Sequence, residues 1–187
     1  STLTELNMKQ GRFFDQEEIK NEPMLFNCDY KSAVALGGPI TKELLRQLDA
    51  IHMTHAIVQN CVIDTRVHML MKDWYPCIPG WHHDDVPRER ADGQPEYITP
   101  SYRSKHLMLL MNANVCPTEF AVGTCNLEIP KGTIYESWNH DVDTLINHNI
   151  LKTVVVKDNQ WYQFDDRSFH RGTAAKGWGW RYFIRVS

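Results

Sequence analysis

Trp178-Gly179-Trp180-Arg181-Tyr182-Phe183-Ile184-Arg185-Val186 alternates with the period of an extended strand. At a period of two, Gly179, Arg181, Phe183 and Arg185 share one face, and Trp178, Trp180, Tyr182, Ile184 and Val186 share the other. The second face is apolar enough to lie on a core. The first, with arginines interleaved among a small and an aromatic residue, reads as the lining of a pocket.

Similar short runs, rich in β-branched and aromatic residues, precede it at 57–63, 66–71, 106–112, 120–129, 133–138, 153–157 and 160–164. Gly, Pro, Asn and Asp separate them. So many short strands with little helical repeat between them predict an antiparallel barrel or sandwich, not a parallel sheet with crossover helices. Two stretches break the pattern. After Gly37-Gly38-Pro39, the residues Leu44, Leu45, Leu48, Ile51 and His52 recur at helical spacing and predict a helix over 41–55 with Thr41 as its N-cap. Val142, Leu145 and Ile146 mark a short helix over 139–149. Before residue 31 the chain reads as an N-terminal arm with one helical turn at 15–20. At 187 residues the whole is most simply one domain, an arm and supporting helix over 1–55 and a β core over 56–187.

Composition removes some function classes. A formal charge of -3 with scattered basic residues leaves no electrostatic footprint for non-specific nucleic-acid or anionic-membrane binding. Cys28, Cys61, Cys77, Cys116 and Cys125 lack C-x-x-C spacing and are odd in number, which predicts reduced core thiols and a cytoplasmic protein. No apolar run approaches a membrane span, and the N-terminus lacks the basic start and apolar block of a signal peptide.

The chemistry is concentrated in Gly80-Trp81-His82-His83-Asp84-Asp85. On an extended segment His82 with Asp84, or His83 with Asp85, points to one side and could hold a metal ion; periodicity does not separate the two frames. A third ligand must come from elsewhere, and His170, before the Arg171-Gly172 turn and the last strand, is the candidate. Two imidazoles and one carboxylate attach a ferrous ion on one face and leave replaceable positions on the other. The resulting cationic centre suits a keto acid, whose far carboxylate needs a cation of fork geometry. Arg181 and Arg185, four residues apart on one face, both qualify. A charged, Pro- and Gly-punctuated segment over 87–100 follows the cluster, where a mobile lid would be placed; Arg88, Arg90, Tyr102 and Arg103 are candidates for substrate contact only by following the cluster, and a solvated loop accounts for all four better. His52, His55, His68, His106, His140 and His148 have no carboxylate at ligand spacing.

These residues resemble the iron(II) and 2-oxoglutarate-dependent oxygenases over about 57–186, with small phage-encoded members nearest in character. The H-x-D…H pattern of that family matches His82, Asp84 and His170, and its distal arginine matches Arg181 or Arg185. The resemblance favours the His82/Asp84 frame. It implies a double-stranded β-helix, a jelly-roll or cupin-like barrel supported by one or two N-terminal helices. It further implies Fe(II) as metal, with 2-oxoglutarate and O2 consumed, succinate and CO2 released, and a small or side-chain substrate hydroxylated. Two other readings use the same residues: a cupin-like zinc or manganese hydrolase or isomerase, and a non-catalytic β-barrel binding protein.

Overall fold

A computed structural model describes residues 2–50 and 60–187 of the chain. Eight strands make two antiparallel sheets. The larger has five strands, in order β1 (Thr4–Glu5), β6 (Tyr162–Asp165), β3 (Lys105–Met111), β8 (Gly179–Val186) and β2 (Ile63–Leu70). The smaller has β5 (Lys152–Val155), β4 (Thr118–Val122) and β7 (Phe169–Gly172). Among the described residues the sheets do not close on themselves, so the expected barrel is replaced by two facing sheets.

Side-chain alternation builds the layers. Tyr182, Ile184 and Val186 of β8, with Leu107, Leu109 and Met111 of β3, turn to one side of the large sheet and join a core shared with three N-terminal helices. Met108, Leu110, Phe164 and Tyr162 turn to the other side and meet Phe120 of β4 between the sheets; the Phe120 and Phe164 rings lie 5.0 Å apart. β3 is therefore covered on both faces, which explains its unbroken apolar run. Trp178, placed by alternation on the core face, precedes the strand and is 73% exposed.

The helices differ from expectation in instructive ways. α1 (Gln16–Lys20) occupies the predicted turn, opened by a capping box in which Asp15 and Glu18 each accept the other's backbone N–H. α2 (Tyr30–Leu36), capped by Asp29, is a helix that periodicity did not reveal, because its seven residues include a single buried one, Ala33. α3 (Pro39–Ala50) begins earlier than expected; residues 51–55 of the predicted helix lie outside the described residues, as do 57–59 of the first predicted strand. Thr41 is not its cap. Pro39 supplies the first helical position, and the buried carboxylate of Glu22 accepts from the Ile40 and Thr41 N–H groups at 3.2 and 2.9 Å. The Thr41 hydroxyl instead pairs with the Tyr182 hydroxyl at 2.9 Å, tying α3 to β8.

Two predicted strands are corrected. The 133–138 run belongs to α4 (Ile134–Asn147), because Ile134, Trp138 and Val142 form a buried stripe at helical spacing that outweighs the local β-prone composition. The 120–129 run stops at Val122, where Gly123 adopts φ +139°; Cys125, Leu127 and Ile129 then tuck beneath α4. β2 starts at Ile63, and β7 is a strand that no composition signal announced.

The Glu22 cap is the cheapest place to test this layering. Glu22→Ala leaves two N–H groups at the α3 N-terminus without a partner and is expected to lower stability by about 1–3 kcal/mol. Urea unfolding checks it; a midpoint equal to wild type would show that the cap contributes nothing.

Candidate metal centre

The cluster that could hold a metal ion is assembled by one backbone exchange. His82 N–H donates to the His170 carbonyl at 3.0 Å and His170 N–H to the His82 carbonyl at 3.1 Å, so the segment at His82 pairs antiparallel with β7. Both rings then emerge on the inner face, with centroids 4.5 Å apart. Asp84, two residues on, shares the side of His82 and brings its carboxylate oxygens to 3.6 Å from His82 Nε2 and 3.1 Å from His170 Nε2. Possible ligand atoms of all three lie within 4.8 Å of one another.

The protons are arranged for a cation. His82 Nδ1 donates to the Gly80 carbonyl at 2.8 Å and His170 Nδ1 to the Ser168 carbonyl at 2.9 Å. A neutral ring that donates from Nδ1 offers a lone pair at Nε2. Two lone pairs and a carboxylate thus converge with no hydrogen between them. Such a cluster is repulsive unless a proton or a metal ion joins it, and burial, followed by the neighbouring His170, holds His82 below its ordinary pKa and disfavours the proton. Burial alone would raise the Asp84 carboxyl, but the Arg185 guanidinium, together with any proton or cation shared with His170 and His82, holds it well below the usual carboxylate range. Neutral nitrogen donors and an ionised oxygen fit a divalent first-row metal.

His83 and Asp85 take no part in this cluster. His83 turns to the opposite face, where its Nδ1 lies 2.7 Å from the Tyr97 hydroxyl. Asp85 adopts φ +59°, ends the extended segment, and accepts from the Tyr102 hydroxyl at 3.0 Å.

α4 supports the segment from behind. Asn139 Oδ1 accepts from Trp81 N–H at 2.5 Å, Asp143 Oδ1 accepts from the Trp81 indole at 2.9 Å, and Arg171 lies 4.2 Å over the Trp81 ring. Gly80 leaves room for that side chain, since a Cβ there would meet the Asn139 amide nitrogen at 2.6 Å and push it aside. Sequence reading missed Asn139 and Asp143. The signal was their spacing of four on one helix face, hidden because the helix was expected to start at 139.

A cavity of about 300 Å3 lies between the sheets beside the cluster. Arg181, Arg185, His68, Phe164, Phe183 and Met108 line it together with the three ligands. The two arginines differ. Arg185 Nη1 donates to Asp84 Oδ2 at 2.9 Å and its Nη2 lies 3.7 Å from Asp64, so its charge is taken. Arg181 is 3% exposed, donates from Nη2 to the Thr118 hydroxyl at 2.8 Å, leaves Nε without a partner, and has no carboxylate in reach among the described residues. Burial presses its pKa down. His68 stands directly across β2 and β8 from Arg181, with a buried Nδ1 that also lacks a partner.

The segment over 87–100 is tied to α4 by Gln94, whose Oε1 accepts from the Ile134 N–H at 3.0 Å, while Arg90 with Asp92 and Arg88 with the Gly93 carbonyl make bonds internal to it. Just beyond it, Arg103 forks the fully buried Asp166 at 2.9–3.0 Å. Tyr97 is anchored between His83 and Tyr135. Cys116 is a core thiol as expected, whereas Cys77 is an exposed residue beside the cavity. No helix among the described residues is long and apolar enough to cross a membrane.

Two measurements follow. Asp84→Asn, His82→Ala and His170→Ala should each weaken Mn2+ or Co2+ binding by more than about 100-fold, beyond the usual cost of losing a supporting residue, while Asp85→Asn leaves it nearly unchanged. Equal losses at Asp84 and Asp85, read by calorimetry, would reject the cluster as the metal site. His68 is held neutral, its pKa lowered from 6.5 to about 4 by burial and then by Arg181 and Arg66. The unfolded chain takes up that proton first, so stability present above pH 6.5 falls away as pH drops toward about 4. His68→Gln should flatten the pH dependence of the urea midpoint across that window, and an unchanged slope would count against the assignment.

Comparison of the chain with family models, with curated proteins and with solved structures finds no match, so its function must be argued from the site itself.

Proposed function

We propose that this chain is a non-haem Fe(II), 2-oxoglutarate-dependent dioxygenase on a jelly-roll scaffold, hydroxylating a small or side-chain substrate. The observation that carries the reading is Arg181. A guanidinium buried to 3% exposure with no carboxylate partner among the described residues is a large uncompensated cost unless an anion completes it. It lines the same cavity as three converging metal ligands. A dicarboxylic keto acid uses both features at once, chelating a metal at one end and answering a buried arginine at the other.

His82, Asp84 and His170 would hold the iron. When bound, it would supply the oxygen chemistry by which 2-oxoglutarate and O2 become succinate and CO2 with an oxygen atom passed to a substrate C–H bond. The chain's own contributions are positional. Arg181, steadied by Thr118, is the receptor for the far carboxylate. Arg185 is better read as a positioning residue, since its bond to Asp84 Oδ2 fixes which way that carboxylate faces. His68, neutral and opposite Arg181, has a ring nitrogen to offer the same anion. Met108, Phe164 and Phe183 keep the cavity wall apolar, which strengthens each charged contact inside it.

With Mn2+ in place of iron, 2-oxoglutarate should bind the purified chain, and Arg181→Gln should weaken it by about 100-fold, the loss typical when one partner of a buried charge pair is removed. Iron-dependent succinate formation under air then identifies the class. Metal binding without 2-oxoglutarate binding would transfer the site to a zinc or manganese hydrolase or isomerase. Failure to retain any divalent metal would leave a non-catalytic binding protein.

A further inference from the structure

His83, the half of the His/Asp cluster that the metal centre does not use, faces a second cleft of about 480 Å3 on the outer side of the small sheet. That size is within the range of about 300–1,000 Å3 usual for small-molecule sites. Tyr97, Trp138 and Phe169 supply flat walls, and Arg103 and Arg167 bring positive charge. Arg103 is committed to Asp166. Arg167 lies 4.4 Å over the Tyr97 ring and has a buried Nη1 with no hydrogen-bond partner and no carboxylate in reach among the described residues.

The proton positions on His83 can be followed through its neighbours. The Tyr135 hydroxyl donates to the His83 carbonyl at 3.4 Å, so it accepts from the Tyr97 hydroxyl, 2.7 Å away. Tyr97 therefore accepts from His83 Nδ1 at 2.7 Å. The circuit closes on the residue where it began and leaves Nε2 as a lone-pair acceptor. His83 is 8% exposed and its ring is held against Phe169 at 3.9 Å, yet among the described residues no group donates to Nε2. A buried acceptor without a donor is rare in folded proteins, and two orphaned polar atoms beside one cleft make a shared partner the economical explanation.

The geometry points to a second ligand site here, for a small planar aromatic acid that donates a ring N–H or O–H to His83 Nε2 and sets a carboxylate or phosphate against Arg167. The ring would lie against the cleft-facing edges of Tyr97, Trp138 and Phe169, which pack on one another at 4.8 and 5.8 Å, and edge contacts there favour an aromatic over an aliphatic body. Nothing in this inference requires the metal centre or its proposed co-substrate.

Calorimetric titration of the full chain tests it with indole-3-acetate, with naphthalene-1-acetate, which keeps the acid and flat ring but lacks the N–H, and with indole-3-acetamide, which keeps the N–H but lacks the charge. Uridine 5′-monophosphate presents phosphate in place of carboxylate. One-to-one binding of indole-3-acetate or of the nucleotide is expected. Indole-3-acetate should bind about tenfold tighter than either of its two controls, the worth of one charge-assisted or buried hydrogen bond. If the nucleotide is the acid that binds, loss of its binding in the Arg167 variant takes the place of those controls. Arg167→Gln should remove the preference for the acid, His83→Phe the preference for the N–H, and Arg181→Gln should change neither. Should His83→Phe not fold, the Arg167→Gln titration decides. Absence of binding by both acids, equal binding of indole-3-acetate and naphthalene-1-acetate, or binding that Arg181→Gln abolishes would overturn the proposal.

Discussion

The exchange of two backbone hydrogen bonds between His82 and His170 is the interaction on which the rest depends. It joins two parts of the chain far apart in sequence, and it does so at a register that puts both imidazoles on one face. A slip of one residue would send His83 or Phe169 inward instead. α4 guards that register through Asn139 and Asp143 on Trp81, and the Nδ1 bonds to Gly80 and Ser168 carbonyls then rotate each ring so that Nε2 faces Asp84. Three acceptor atoms are thereby held together by bonds that other atoms of the same residues and their neighbours make. The fold carries the cost of a site that only a cation can relieve.

The same strands sort charge by depth. Arg185, two periods of alternation nearer the end of β8, reaches both Asp84 and Asp64 and is neutralised within the protein. Arg181, buried opposite His68, is not. Cavities that bind anions need this asymmetry, because a cation already satisfied by a carboxylate has little left for a ligand. The two faces of the small sheet repeat the theme. The inner face presents imidazole lone pairs to a metal, and the outer face presents one more, on His83, to a cleft with aromatic walls.

Much of the β architecture could be read directly. Alternation in 178–186 separates the pocket face from the core face as the structure does, with Arg181, Phe183 and Arg185 on the cavity and Tyr182, Ile184 and Val186 in the core. It succeeds because a strand's side-chain period is a local property of the backbone. The 133–138 run misled because Thr, Ile and Tyr are β-prone one by one, while the stripe Ile134, Trp138, Val142 that makes them helical is visible only over a longer window and is rewarded by residues distant in sequence, Trp81, Ala121 and Phe169 among them. Thr41 was a reasonable cap by residue type, and lost that place to Glu22, a residue from another segment.

By itself, then, the amino-acid sequence determined the donor types, their two-residue spacing at His82 and Asp84, and the shared face of Arg181 and Arg185, since each follows from chain geometry over a few residues. Chain geometry left the frames His82/Asp84 and His83/Asp85 equal, and the family resemblance alone favoured the first. Only tertiary structure decided it, because pairing with β7 is a long-range register. So too for the arginines: identical residues at equivalent positions on one strand came to differ because Asp84 and Asp64 lie beside one and Thr118 beside the other, and none of these three neighbours is near in sequence.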